Sequence, residues 1–150
     1  MRWLMILVVA GCWASAEAPE QAPPANTVMA APQPHRHTAT HWRGRYLCAQ
    51  GPTALELTLE RDGDAVRGTF AFAALPENPT VPSGAYTLTG TSATADRDEV
   101  IVTMVPGQWL DQPAGYVMVG FTARTDRERR TMRGSIDDAG CGAIEVSRVD

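Results

Sequence analysis

Apolar and polar residues alternate along most of this chain, and from Trp42 onward they do so in short runs of even spacing. Ala54–Glu60 sets Leu55, Leu57 and Leu59 on one face and Glu56, Thr58 and Glu60 on the other. A two-residue period of this kind belongs to a half-buried strand. Asp62-Gly63 follows, a dipeptide suited to a tight hairpin turn. Val66, Gly68, Phe70 and Phe72 then share a face. Arg43–Cys48 precedes these two strands, and Ala85–Thr91, Val100–Val105, Tyr116–Arg124, Met132–Ile136 and Ala143–Val149 complete a series of eight. No segment keeps a 3.6-residue apolar period over helical length.

Eight short strands joined by hairpins predict an all-β fold, an eight-stranded antiparallel up-and-down barrel shaped like a lipocalin or avidin; a two-sheet β-sandwich is the alternative. Gly68, Gly90, Gly120 and Gly134 fall inside strands, where repeated glycines permit the bending that closure needs. About 109 residues from Trp42 onward suffice for one core.

The first 41 residues read differently. Arg2 and the apolar run Leu4–Ala10 form a secretion signal too short to span a bilayer. Val9-Ala10-Gly11-Cys12 resembles the lipobox of bacterial lipoproteins, whose cysteine is lipidated and becomes the mature N-terminus. The expected organisation is a signal peptide at 1–11, lipidated Cys12 with a disordered Pro- and Ala-rich tether to residue 41, and a barrel domain at 42–150. Trp13 stands where an inner-membrane retention signal would show Asp, so the resemblance implies an outer-membrane lipoprotein. Cleavage after Ala16 is the alternative; it would release a soluble secreted or periplasmic protein.

That compartment is oxidising, which makes a disulfide the expected state of Cys48 and Cys141. The bridge would close a loop of about 90 residues. Cys48 ends the first strand and Cys141 precedes the eighth, so in a closed meander the bond would staple the seam. Two cysteines so far apart lack zinc-site spacing.

Charge and composition narrow the function. All 13 basic residues are arginine, and loss of Arg2 with the signal takes the net charge from −4 to about −5. A mildly acidic surface argues against nucleic acid. No cofactor and no metal are expected. The absence of lysine excludes a lysine nucleophile or Schiff base. His35, His37 and His41 fall in the tether, so a Ser-His-Asp arrangement would need a disordered base, and the chain reads as a non-enzyme. Glu77, Asp111, Asp137 and Asp138 are the acids that could gather at one barrel end. The Arg127–Arg130 run belongs to the other end, as a solvated hairpin tip or a contact for anionic head groups.

In a meander the connections alternate between ends. Residues 61–65, 92–99 and 125–131 give one short, charged end, where the tether enters. Residues 49–53, 75–84, 106–115 and 137–142 give an end of longer, proline-stiffened loops, which should face away from the membrane. Long ordered loops on a rigid scaffold are the usual place for binding. Trp109, Leu110, Asn78 and Gln112 lie on these loops, and Tyr86 and Tyr116 flank them; these six are the candidate ligand contacts. Trp109 could instead plug the core.

Tyr46-x-Cys48-x-Gln50-Gly51-x-Thr53, Phe70-x-Phe72, Glu77-Asn78-Pro79-x-Val81-Pro82-x-Gly84-x-Tyr86, Trp109-Leu110-x-Gln112-Pro113-x-Gly115-Tyr116 and late Cys141 form one series. It resembles a small domain of unknown function found in bacterial envelope and multidomain proteins. The resemblance implies an independently folding module and transfers no catalytic residue. Tyr46-Leu47-Cys48, Ser83-Gly84-Ala85-Tyr86 and Cys141 are also similar to lipoproteins that inhibit c-type lysozyme, which are disulfide-linked β-barrels. The expected function is therefore that of a monomeric cell-envelope lipoprotein binding a glycan or small ligand at the proline-rich end. A protein-binding adaptor or inhibitor, or a structural envelope protein, is the alternative.

Overall fold

A computed structural model describes residues 38–95 and 99–150. The signal peptide, Cys12, Ala16, His35 and His37 lie outside the described residues. Eight strands follow one another: β1 Ala39–Cys48, β2 Gly51–Asp62, β3 Ala65–Ala73, β4 Gly84–Thr94, β5 Val100–Asp111, β6 Phe121–Thr125, β7 Thr131–Ile136 and β8 Ala143–Arg148. Each pairs antiparallel with the next, and β1 closes onto β8, so the sheet is a closed up-and-down barrel without a second layer. The described residues contain no helix.

The period-two pattern decides which side chains fill the barrel. Leu55 and Leu57 of β2, Phe70 and Phe72 of β3, and Tyr86 and Leu88 of β4 all point inward and are buried. Full burial of a leucine or phenylalanine contributes roughly 1.5–3 kcal/mol, which is why this register holds. Outward positions carry cross-strand ion pairs such as Arg43–Glu56 at 3.0 Å and Arg133–Glu145 at 2.7 Å. Both pairs are exposed, so each contributes only about 0–1 kcal/mol.

Closure depends on inward positions without a side chain. A Cβ on Gly68, Gly90 or Gly134 would run into the backbone carbonyl of Thr58, Thr103 or Thr122 on the adjacent strand. Gly44 meets Glu145 in the same way across the β1–β8 seam. These are the places where neighbouring backbones approach most closely and the sheet coils shut. The Cys48–Cys141 disulfide, two residues past Tyr46 and three before Ile144 of the last β1–β8 pair, staples that seam.

Several strand bounds differ from the pattern-based expectation. The first strand was expected from Arg43, after a tether reaching residue 41, but β1 begins at Ala39, so His41 belongs to the sheet and pairs with Thr58 instead of lying in the tether. The fifth was expected to end at Val105, with Trp109 and Leu110 on a loop, but β5 runs on to Asp111. Pro106 is accommodated because the ladder to β6 ends at Met104, so from Val105 onward β5 pairs only with β4. The pairing shifts register there: Leu88 faces Pro106 and Tyr86 faces Trp109, which leaves Thr87 opposite Gly107 and Gln108. The Gln108 N–H donates to Thr87 Oγ1 at 2.8 Å instead of to a backbone carbonyl. A proline at a bulge on an edge segment forfeits no ladder bond. The sixth strand was expected from Tyr116 but begins at Phe121, since residues 112–120 leave the sheet and turn across the barrel end.

Candidate functional site

Where β5 and β6 separate, the proline-rich end opens. A cavity of about 310 Å³ lies there, between residues 49–50, 115–119 and 138–141. Tyr46, Phe72 and Tyr86 line its deeper part, with Gln50, Tyr116 and Asp138 among its polar lining groups. The Cys48–Cys141 bridge forms part of one wall. The volume is at the small end for ligand sites, and the mixture of aromatic surface and a few polar groups is their usual chemistry.

The aromatic part is a connected stack. Phe70 lies face to face with Tyr86 at 4.8 Å and edge-on to Tyr46 at 5.2 Å. Phe72 stacks on Tyr116 at 5.5 Å. These spacings are those at which ring quadrupoles attract, so the rings under the cavity hold one another in place.

The polar groups are held as firmly. Gln50 Nε2 donates to Tyr46 Oη and to Thr53 Oγ1, both at 3.2 Å, which leaves the amide oxygen as an acceptor. Thr53 Oγ1 donates in turn to the Gly51 carbonyl at 3.1 Å. Asp138 accepts from the Gly140 N–H at 2.9 Å, an Asx arrangement that orders the residues before Cys141. Burial pushes the Tyr46 phenol up to about 12, since a phenolate there would lose its hydration. Tyr46 is therefore a neutral hydroxyl at any physiological pH.

The six residues singled out by sequence are not all brought together. Tyr116 is half-buried and lines the cavity. Tyr86 also lines it, but its ring is 1% exposed and its hydroxyl donates to the Val119 carbonyl at 2.9 Å while accepting the Val119 N–H at 3.3 Å. Trp109 is half-buried outside the cavity, edge-on to Tyr86 at 5.3 Å and to Phe72 at 6.4 Å. Leu110 beside it is exposed. Asn78 braces two loops, with Nδ2 donating to the carbonyls of Gln50 at 2.7 Å and Pro52 at 3.0 Å. Gln112 is exposed and outside the cavity lining.

Of the loop acids, only Asp138 reaches the cavity. Glu77 faces Arg45 at 3.9 Å, and Asp137 accepts from the Thr122 hydroxyl at 3.4 Å. Among the described residues no three His, Cys, Asp or Glu side chains gather as metal ligands. Gly84 opens β4 beneath the Phe72 ring and Pro113, so Ser83-Gly84 runs into a strand.

Tyr46, Gln50 and Val117 were missed as cavity residues. The available signal was in the first strand, where Trp42, Tyr46 and Cys48 alternate inward and Gln50 lies in the turn beyond them. Val117 carried none, because its position depends on where residues 112–120 leave the sheet.

The Tyr86 hydroxyl substitutes for the missing strand partner of Val119. Tyr86→Phe keeps the ring stack but leaves a buried N–H and C=O unpaired, an expected cost of about 1–3 kcal/mol. The check is urea unfolding together with amide exchange, which should accelerate at Val119. The phenols also set an alkaline limit. The folded-state pKa of Tyr46 lies above its ordinary value of 10.0, and burial raises that of Tyr86 as well. The unfolded chain therefore releases protons first, and stability that is intact below pH 10 falls as the pH rises towards 12. Tyr86→Phe should flatten that fall.

A comparison with protein-family models finds no match for this chain, and a comparison with curated proteins finds no similar sequence.

Proposed function

We propose that this protein is a lipid-anchored cell-envelope binding module that takes a glycan fragment or another small polar ligand in the cavity at the proline-rich end. The observation that carries this reading is the meeting, in one open cavity, of a fixed aromatic surface with the Gln50 amide, the Tyr116 side chain and the Asp138 carboxylate. Sugar rings present apolar C–H faces and hydroxyl edges, which match those two kinds of surface. The lipobox resemblance at Cys12 supports the anchor, and Trp13 in place of a retention Asp supports the outer membrane as location. The site is read as one for binding, since among the described residues no nucleophile with an adjacent base lines it.

A protein partner is the second reading, supported by Val117 and Leu110, which are 73% and 60% exposed at the same end. An adaptor or inhibitor would cover both.

The test is a thermal-shift series on the full chain with peptidoglycan fragments, envelope sugars and c-type lysozyme. A ligand at about a hundredfold excess over Kd stabilises the native state by ~2.7 kcal/mol, or roughly 10 °C for a domain of this size. Tyr116→Ala should abolish that shift. Trp109→Ala should keep it while lowering the unliganded midpoint, because Trp109 packs outside the cavity. A shift with lysozyme alone, lost on Val117→Asp, would replace the glycan reading with the protein one. A ligand shift unchanged by Tyr116→Ala would overturn the placement of the site.

A further inference from the structure

The charged end of the barrel contains a second, smaller cavity of about 140 Å³. Its apolar lining comes from Trp42, Leu59, Val66, Val100, Val102 and Met132. Arg61, Arg129 and Arg148 also line it, and no acidic side chain does among the described residues. An apolar cavity of about 150 Å³ accommodates a benzene-sized molecule, so this one has room for roughly six carbons.

Ser92 is the residue that hydrophobic filling does not explain. It faces the cavity, it is 3% exposed, and its Oγ has no hydrogen-bond partner. Its own backbone N–H is satisfied by the Asp64 carbonyl at 2.8 Å, and the nearby Thr125 Oγ1 accepts the Val100 N–H at 3.2 Å. A buried hydroxyl without a partner is costly, and alanine would fill the same space without that cost.

The arginines differ in what they are already doing. Arg148 pairs with Asp150 at 2.7 Å, and Arg61 donates to the Gly63 carbonyl and faces Asp64 at 3.8 Å. Arg129 forms no ion pair among the described residues. It is held at a positive φ of 54° by a turn in which the Asp126 carboxylate accepts the Arg130 N–H at 2.6 Å and the Thr131 N–H at 3.0 Å. A braced turn thus presents at an apolar cavity a guanidinium that pairs with no acid among the described residues.

We propose that this second cavity binds a small carboxylate with a short hydrocarbon body, its tail among Trp42, Val102 and Met132 and its carboxylate accepting from the Ser92 hydroxyl opposite Arg129. The site is independent of the proline-rich end, so the two can fail separately. Hexanoate is the probe, with hexanol as its uncharged counterpart, titrated into the full chain in zwitterionic nanodiscs carrying ¹³C-methyl-labelled methionine. The Met132 methyl resonance should move with hexanoate and at least about tenfold more weakly with hexanol. Arg129→Asn, chosen because asparagine tolerates positive φ, should weaken hexanoate about fivefold or more. Ser92→Ala should weaken it about tenfold while leaving the ligand-free midpoint unchanged or higher. That opposite pair of effects separates a ligand contact from a structural hydroxyl. Equal binding of hexanol, unchanged hexanoate binding in Ser92→Ala, or a lower ligand-free midpoint in that variant would each overturn the proposal.

Discussion

Replacing Cys48 and Cys141 together by alanine is expected to lower the stability of the barrel by about 4–5 kcal/mol. The two residues are 93 positions apart, so the bond closes nearly the whole domain into one loop, and on the chain-entropy model its removal frees the unfolded state by that amount. The native state loses less directly, because the β1–β8 ladder from Trp42 to Tyr46 persists. A domain of about 110 residues has roughly 5–15 kcal/mol in total, so the double variant would stand near the threshold of folding. Urea unfolding should show a lower midpoint, and amide exchange should quicken first in Ala143–Arg148. A loss below about 1 kcal/mol would mean that the ladder alone holds the seam.

Phe70→Ala is expected to cost about 3–5 kcal/mol, the usual range for truncating a buried phenylalanine. Phe70 has no exposed surface and lies between Tyr46 and Tyr86, so its removal leaves a void directly under two rings that line the larger cavity. The loss should therefore appear in two measurements, a lower unfolding midpoint and a weakened ligand response at the proline-rich end. Phe70→Leu, which retains most of the volume, should recover most of the stability. If Phe70→Ala left ligand response unchanged, the stack would not support the site.

Much of the barrel was legible in the residue order because its cause is local. Leu55, Leu57 and Leu59 alternate with polar residues, and an antiparallel sheet with one wet face can satisfy that period in only one register. Asp62-Gly63 announced its turn, and Gly63 does adopt a positive φ of 60°. Gly68, Gly90 and Gly134 were legible as bending points, although the carbonyls they accommodate are on other strands; Gly120, expected with them, lies outside the strands, and Gly44 at the seam was not legible.

The site was less legible because its composition depends on departures from the ladder. Trp109 follows Pro106 and Gly107, residues that locally announce a loop. It lies instead in a strand, because β5 has lost β6 as a neighbour there and a bulge opposite Thr87 absorbs the irregularity. Tyr86 had the look of a groove residue, yet its hydroxyl serves the backbone of Val119, 33 residues away. No pattern near Tyr86 encodes that bond.

The sequence by itself indicated eight strands, the buried faces of β2 and β3, a barrel in preference to a sandwich, and the pairing of Cys48 with Cys141. Those follow from side-chain period, turn chemistry and topology, all properties of short segments or of their order. Only the tertiary structure decided which aromatics are cavity walls and which are core, and that Ser92 is buried, without a partner among the described residues, in a cavity that Arg129 also lines. Those outcomes depend on where neighbouring strands part and which distant backbone groups remain to be satisfied, and such distances exist only once the sheet has closed.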